Sequence, residues 1–275
     1  WLCRFNLHCC SGRRVIGNVV MPHAKKTRQQ MSKVKIKLII LGQLPVDLDK
    51  ITLTKWKSDV FEIVGQIDNY TITNNADGLS WEFTDDNIES QLPDTFEGDF
   101  LIAMTHVPLE DNYFARRFTD NRICMTFYEM ADMLSLSNIP IENLVYRLLY
   151  SYTLIYKRHG NRIPSKDEVT TFTHDETRGC LFDMNGIKSD IIYSTNEPIV
   201  CADCVQRLTV ERVPINTIDK VKEEIKRIKK GTYYRIADLV KKYPIWTLVI
   251  STISALILGT VGSLLATILW EKFLK

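Results

Sequence analysis

The sequence predicts a mixed α/β domain followed by a single C-terminal transmembrane helix. Two patterns carry this reading. Apolar strand-like runs at 34–41, 99–105 and 122–127 are interleaved with helical periodicity, strongest at 141–157, which predicts a mixed sheet with helices packed on it. Residues 244–270 contain no charged side chain, and about 20 apolar residues suffice to cross roughly 30 Å of hydrocarbon. The composition agrees: 275 residues, 45% hydrophobic and 25% charged, exclude a wholly disordered or multi-span chain. With 35 Lys+Arg against 33 Asp+Glu, no global charge points to nucleic acid. The charge is uneven, however. Residues 43–120 hold 16 acidic and 5 basic side chains, and residues 211–242 hold 10 basic and 5 acidic.

In order along the chain, residues 1–30 show neither helical nor strand periodicity and read as an extension, with Met31 as a natural start. The crowded His8, Cys9 and Cys10 lack the separated pairs of a tetrahedral metal site. The domain proper spans 31–212. It opens with a buried strand at 34–41 and a helix over 50–60. A meander of strands follows at 61–66, 69–73 and 79–83, with Asn74 to Gly78 as turn residues. The run 99–105 reads as the central strand, and 122–127 as another leading directly into 128–136. The helix at 141–157 carries apolar residues on more than one face. Cys124 sits in an apolar strand and reads as core.

Residues 213–242 read as an amphipathic stalk and juxtamembrane segment. In 214–230, with Asn216 or Thr217 as N-cap and Gly231 as the stop, Ile218, Val221, Ile225 and Ile228 form a short seam. That seam serves equally for packing on the domain or for a brief helix pairing, and its basic face suits anionic headgroups. Residues 233–243 then read as interfacial. In the span 244–270, Trp246 and Trp270 mark the ends. Seven Lys and Arg precede it within 20 residues, so the positive-inside rule predicts an inner-membrane tail anchor with the N-terminal domain in the cytosol. Ser251, Ala255, Gly259 and Ser263 recur every four residues, a small-residue face that favours homo-oligomers.

The richest chemistry lies between His174 and Cys204. Cys201 and Cys204 have the two-residue spacing that presents two thiolates to one Zn²⁺. Cys180 is the third candidate ligand, and His174, or else Asp175, the fourth. Cytosolic thiols stay reduced, which favours a structural zinc over a disulfide. Buried core cysteines are the plain alternative. A redox pair is a further one, disfavoured because the pair does not read as opening a helix after a strand. His174, Asp175 and Glu176 do not read as an acid–base cluster, since neighbouring residues diverge in a strand and no nucleophile is placed beside them. A weaker polar-ligand site is read at His106, Arg116 and Arg117, where the two guanidinium forks suit phosphate or carboxylate.

The strand order, the long helix and the tail Cys180, Met184, Cys201, Cys204 resemble the archaemetzincins, zincin-type metallopeptidases with a cysteine-bound structural zinc. The resemblance spans residues 36–208 and implies a zincin-like fold with that zinc. It departs where activity is made. The family's His-Glu-x-x-His motif, two imidazoles one turn apart with a Glu base, occurs nowhere here, and the helix carries Leu148, Leu149, Tyr150 and Tyr152 instead. A cysteine expected before Cys180 is replaced nearby by His174 and Asp175. The expectation is a membrane-anchored, non-catalytic sensing or binding module that associates with itself, as in a bacterial defence effector, with a protein or small-ligand partner and no nucleic acid. A membrane-tethered divergent metallopeptidase and a partner-recruiting scaffold are the alternatives.

Overall fold

Phe100–Thr105 is the hydrophobic centre of the chain: all six of its residues are buried. Such a run needs a neighbour on both edges and a layer on both faces. In the computed structural model, which describes residues 32–44 and 47–273, it has them. The sheet strands are β1 (Val34–Leu41), β2 (Phe61–Tyr70), β3 (Phe100–Thr105), β4 (Ala115–Arg117) and β5 (Arg122–Thr126). Their order is β2-β1-β3-β5-β4, so β3 is central. Four strands run parallel, and the short edge strand β4 pairs antiparallel with β5, Arg116 opposite Cys124.

The helices are α1 (Lys50–Thr54), α2 (Asp85–Ser90), α3 (Met130–Leu136), α4 (Glu142–Arg158), α5 (Ile191–Ser194), α6 (Ala202–Val210), α7 (Ile215–Glu224), α8 (Thr232–Lys242) and α9 (Pro244–Phe273). Strand alternation divides the core. Phe100, Ile102 and Met104 join Val34, Ile36 and Leu38 in the larger cluster, with α4. Leu101, Ala103 and Cys124 face the smaller one, with Phe83 and Ile88. Every residue of α4 from Asn143 to Tyr156 is buried. One side meets the first half of the chain: Tyr146 stacks on Trp56 at 3.8 Å, and Tyr150 meets Phe61 edge-on at 4.9 Å. Another side meets the second half, where Asn143 donates to Thr195 O and Arg147 to Ser194 Oγ.

Several local expectations are corrected. The helix predicted over 50–60 stops at Thr54. The meander over 61–83 is a single parallel strand, β2. Gly65 takes φ +65° within it and the register with β1 shifts between Lys37 and Ile39, so a turn residue serves as an irregularity inside a strand. Leu79 and Trp81 are exposed. Pro214, rather than Asn216 or Thr217, precedes α7, consistent with the proline preference for helix starts. Ile218, Val221, Ile225 and Ile228 are all at most 1% exposed and belong to the main core. Of the two readings of that seam, packing on the domain is therefore the one observed. At about 1.5–3 kcal/mol for each buried large apolar side chain, it ties 215–228 firmly to the body. Gly231 ends no helix; it opens α8.

α8 exposes Tyr233, Ile236, Leu239 and Val240, and α9 exposes its apolar residues throughout. The span Pro244–Lys272 has mean hydropathy 2.1 in its best window and none of that window is buried. At 1.5 Å per residue it is roughly 43 Å long. It is long and apolar enough to cross a membrane. The extension 1–30, with Cys3, His8, Cys9 and Cys10, lies outside the described residues.

Candidate metal centre

Backbone pairing brings the ligands together before any side chain does. Gly179, at φ +83°, closes a turn where a Cβ would meet Tyr193 O at 3.2 Å. Ile199 N then bonds Gly179 O at 2.9 Å and Leu181 N bonds Ile199 O at 2.8 Å, which sets Cys180 beside the segment entering Cys201. His174 N bonds Phe182 O and Met184 N bonds His174 O, laying His174 along the same strip. Cys201 is the N-cap of α6, and its Sγ accepts from Cys204 N at 3.4 Å. The pair thus opens a helix, though not one that follows a strand: the short helix α5 and a loop with a single bridge at Ile199 precede it. Amide N–H groups at a helix start favour thiolates.

The ligand atoms of His174, Cys180, Cys201 and Cys204 all lie within 4.8 Å of one another, and all four residues are buried. Cys180 Sγ and Cys204 Sγ are 3.8 Å apart, and Cys201 Sγ and His174 Nε2 are 3.5 Å apart. A tetrahedral zinc with bonds of about 2.3 Å to sulfur and 2.0–2.1 Å to nitrogen has edges of about 3.8 Å and 3.6 Å. Three thiols and an imidazole at those spacings fit a four-coordinate metal. Asp175 does not take part; its carboxylate lies beside Gly186.

Glu176 is a participant that the sequence reading set aside. His174 Nδ1 lies 3.2 Å from Glu176 Oε2. The chain bends over 175–177, directly after the bridge residue His174, and this brings the Glu176 carboxylate back to the imidazole. A carboxylate on Nδ1 fixes the tautomer that leaves the Nε2 lone pair facing the sulfurs. The proton shared between the Cys180 and Cys204 sulfurs, helped by the Cys201 and Phe182 amides, holds the Cys180 thiol down against its burial. The same shared proton, with burial, pushes Cys204 up. Such a pair gives up its remaining proton to a cation. Cys124, by contrast, is core, and burial drives its thiol up.

No protein-family model and no curated protein matches this chain. Among solved structures it is similar to the archaemetzincin of Methanopyrus kandleri, with TM-score 0.42 and 13% identity over 65% of this chain and 95% of that one.

The weaker predicted site does not assemble as drawn. His106 meets Tyr128 edge-on at 6.4 Å, and its buried Nδ1 has no partner among the described residues. Arg116 is held by Asp85 through Nε at 2.7 and 2.9 Å and through Nη2. Arg116 and Arg117 both line a cleft between β4 and α4, together with Arg147, Tyr152 and Met184, and His106 does not. Ser251, Ala255, Gly259 and Ser263 lie on α9, and a Cβ added at Gly259 meets nothing within 4 Å.

Proposed function

We propose that this chain is a membrane-anchored, non-catalytic binding module whose body is closed by a structural zinc on His174, Cys180, Cys201 and Cys204. The carrying observation is four buried donors within 4.8 Å of one another, with the Cys180–Cys204 and Cys201–His174 pairs at the edge length of a tetrahedral zinc site. Four protein ligands complete zinc's usual shell, whereas catalytic sites keep a position for water or substrate. The donor set of three thiols and one imidazole favours zinc over the harder divalent ions. The Cys180, Met184, Cys201, Cys204 tail supports a zincin-like ancestry, and the missing His-Glu-x-x-His motif supports loss of hydrolysis. The uncharged α9 and the basic residues preceding it support insertion into the cytoplasmic membrane with the body in the cytosol. The exposed small-residue face of α9 supports self-association, and an effector that acts on the membrane, as in bacterial defence, is the role that combines these parts.

The test uses the full-length protein in detergent. Elemental analysis is expected to find one tightly held zinc per chain, and alkaline extraction should leave the protein in the membrane pellet. No bound metal, or a second labile zinc accompanied by chelator-sensitive peptide cleavage, would sink the reading. Gly259→Leu with Ser263→Leu should shift the cross-linked species towards monomer.

A further inference from the structure

The cleft between β4 and α4, about 370 Å³ in volume, has an unbalanced lining. Four cations border it: Arg116, Arg117, Arg147 and Lys166. Asp85 and Asp86 engage Arg116 and Lys166. The two carboxylates of the lining are already occupied. Glu168 takes both guanidinium nitrogens of Arg162 at 2.6 Å, and Asp183 accepts from the Gly179 and Asn185 amides at 3.2 and 2.9 Å.

Arg117 and Arg147 therefore have no carboxylate partner among the described residues. Arg117 donates once, to Pro164 O at 2.8 Å, and lies over the Phe172 ring at 4.9 Å. Arg147, only 2% exposed, donates to Ser194 Oγ and Asp183 O at 2.8 Å each and lies over Phe114 at 5.1 Å. Each guanidinium has five N–H groups, so both keep donors in reserve. Burial brings Arg147 down to about 10, so it stays charged at neutral pH.

Tyr152 supplies the second, independent observation. It is 6% exposed, lines the cleft and makes no hydrogen bond among the described residues. Its hydroxyl is not among the buried polar atoms that lack a partner, so it opens into the cleft, where an occupant can reach it. Burial raises it to about 12, while the charges of Arg117, Arg147 and Arg116 pull the other way, which places the hydroxyl in the field of those guanidinium groups. The three side chains offer hydrogen-bond donors at a buried site of positive charge.

We propose that this cleft binds a small oxyanion, the carboxylate or phosphate of a compact ligand, between Arg117, Arg147 and Tyr152, with its body against Phe114, Phe172 and Ile155. This names a ligand class for the binding role given above, and it holds whatever metal fills the cysteine site. Paired guanidinium forks match planar or tetrahedral oxyanions. Asp183 and Glu168 also line the cleft, but their oxygens are taken by the Gly179 and Asn185 amides and by Arg162, so the free donors of Arg117 and Arg147 favour an anion over a neutral isostere.

The experiment is calorimetric titration of the zinc-assayed full chain in detergent with benzoate, inorganic phosphate and the neutral control benzamide. At least one oxyanion is expected to bind with one site per chain and a dissociation constant of about 1 mM or below. Benzoate alone points to a carboxylate ligand and phosphate alone to a phosphorylated one. Arg117→Gln and Tyr152→Phe should each weaken binding roughly ten-fold. The second keeps the ring, so it reports even if the first folds poorly. Absence of binding by both anions, equal binding of benzamide, or wild-type affinity in Tyr152→Phe overturns the proposal. Zinc content measured on the same sample separates this failure from failure of the metal reading.

Discussion

Two buried polar clusters flank residues 180–184, and they differ in what faces inward. At the metal centre, Cys180, Cys201, Cys204 and His174 present lone pairs to one another. In the cleft, lined by Leu181, Phe182, Asp183 and Met184 of the same segment, Arg117, Arg147 and Tyr152 present N–H and O–H groups. Buried electron-pair donors call for a cation, and buried proton donors call for an anion. The comparison teaches that the sign of an occupant is legible from unsatisfied hydrogen-bonding character even where net charge is small.

The largest effect expected from breaking this contrast is at the metal. Cys180→Ser removes a ligand that is fully buried, and loss of a structural metal belongs with the severe destabilisations, about 4 kcal/mol or more. Urea unfolding of the full chain measures it; a wild-type midpoint would mean the four donors hold nothing. Arg117→Gln in the cleft, by contrast, removes one protein hydrogen bond and should cost about 1 kcal/mol.

A smaller effect sharpens the metal side. In the metal-free protein Cys204 is pushed up and keeps its proton at neutral pH, so zinc must expel it. Affinity therefore rises with pH through the neutral range. Competition titrations against a chelator from pH 6 to 8 read this rise, and a flat profile contradicts thiolate ligation. Glu176→Gln should loosen zinc by roughly 10–100-fold through the imidazole. Because zinc binding is coupled to folding, that loss should also lower the melting temperature of the loaded protein, by less than Cys180→Ser does.

The two clusters were not equally legible in the sequence. Cys180, Cys201, Cys204 and His174 announce themselves by type and spacing, because thiols two apart have few other uses in a reduced compartment. The central strand and α4 are legible for the same reason: their burial is written as uninterrupted apolar or periodic character. The cleft is not. Arg147 and Tyr152 sit in a helix whose pattern reads simply as buried, and nothing local reveals that β4, some 30 residues earlier, supplies Arg117 across from them. The meander was misread because Gly65 and the polar residues of β2 signal turns, whereas an edge strand exposed on its outer half tolerates them. Glu176 was dismissed because a strand was assumed where the chain bends.

The finest test compares two tyrosines on one helix. Tyr150 donates to Glu224 Oε2 at 2.7 Å and accepts from Trp56 Nε1 at 3.0 Å and Arg227 Nη2 at 3.2 Å. Tyr150→Phe strands these partners and should destabilise by about 1–3 kcal/mol. Tyr152 has the same chemistry and is 6% exposed, but it has no hydrogen-bond partner among the described residues, so Tyr152→Phe removes a hydroxyl that faces only the cleft. In the ligand-free protein it should be neutral or stabilising, by at most about 1 kcal/mol. Unfolding curves of the two variants separate the cases directly. If Tyr152→Phe destabilises as much as Tyr150→Phe, its hydroxyl is already satisfied from within the protein. The cleft then loses the feature that distinguishes it from an ordinary packed core, and with it the argument for an anionic occupant.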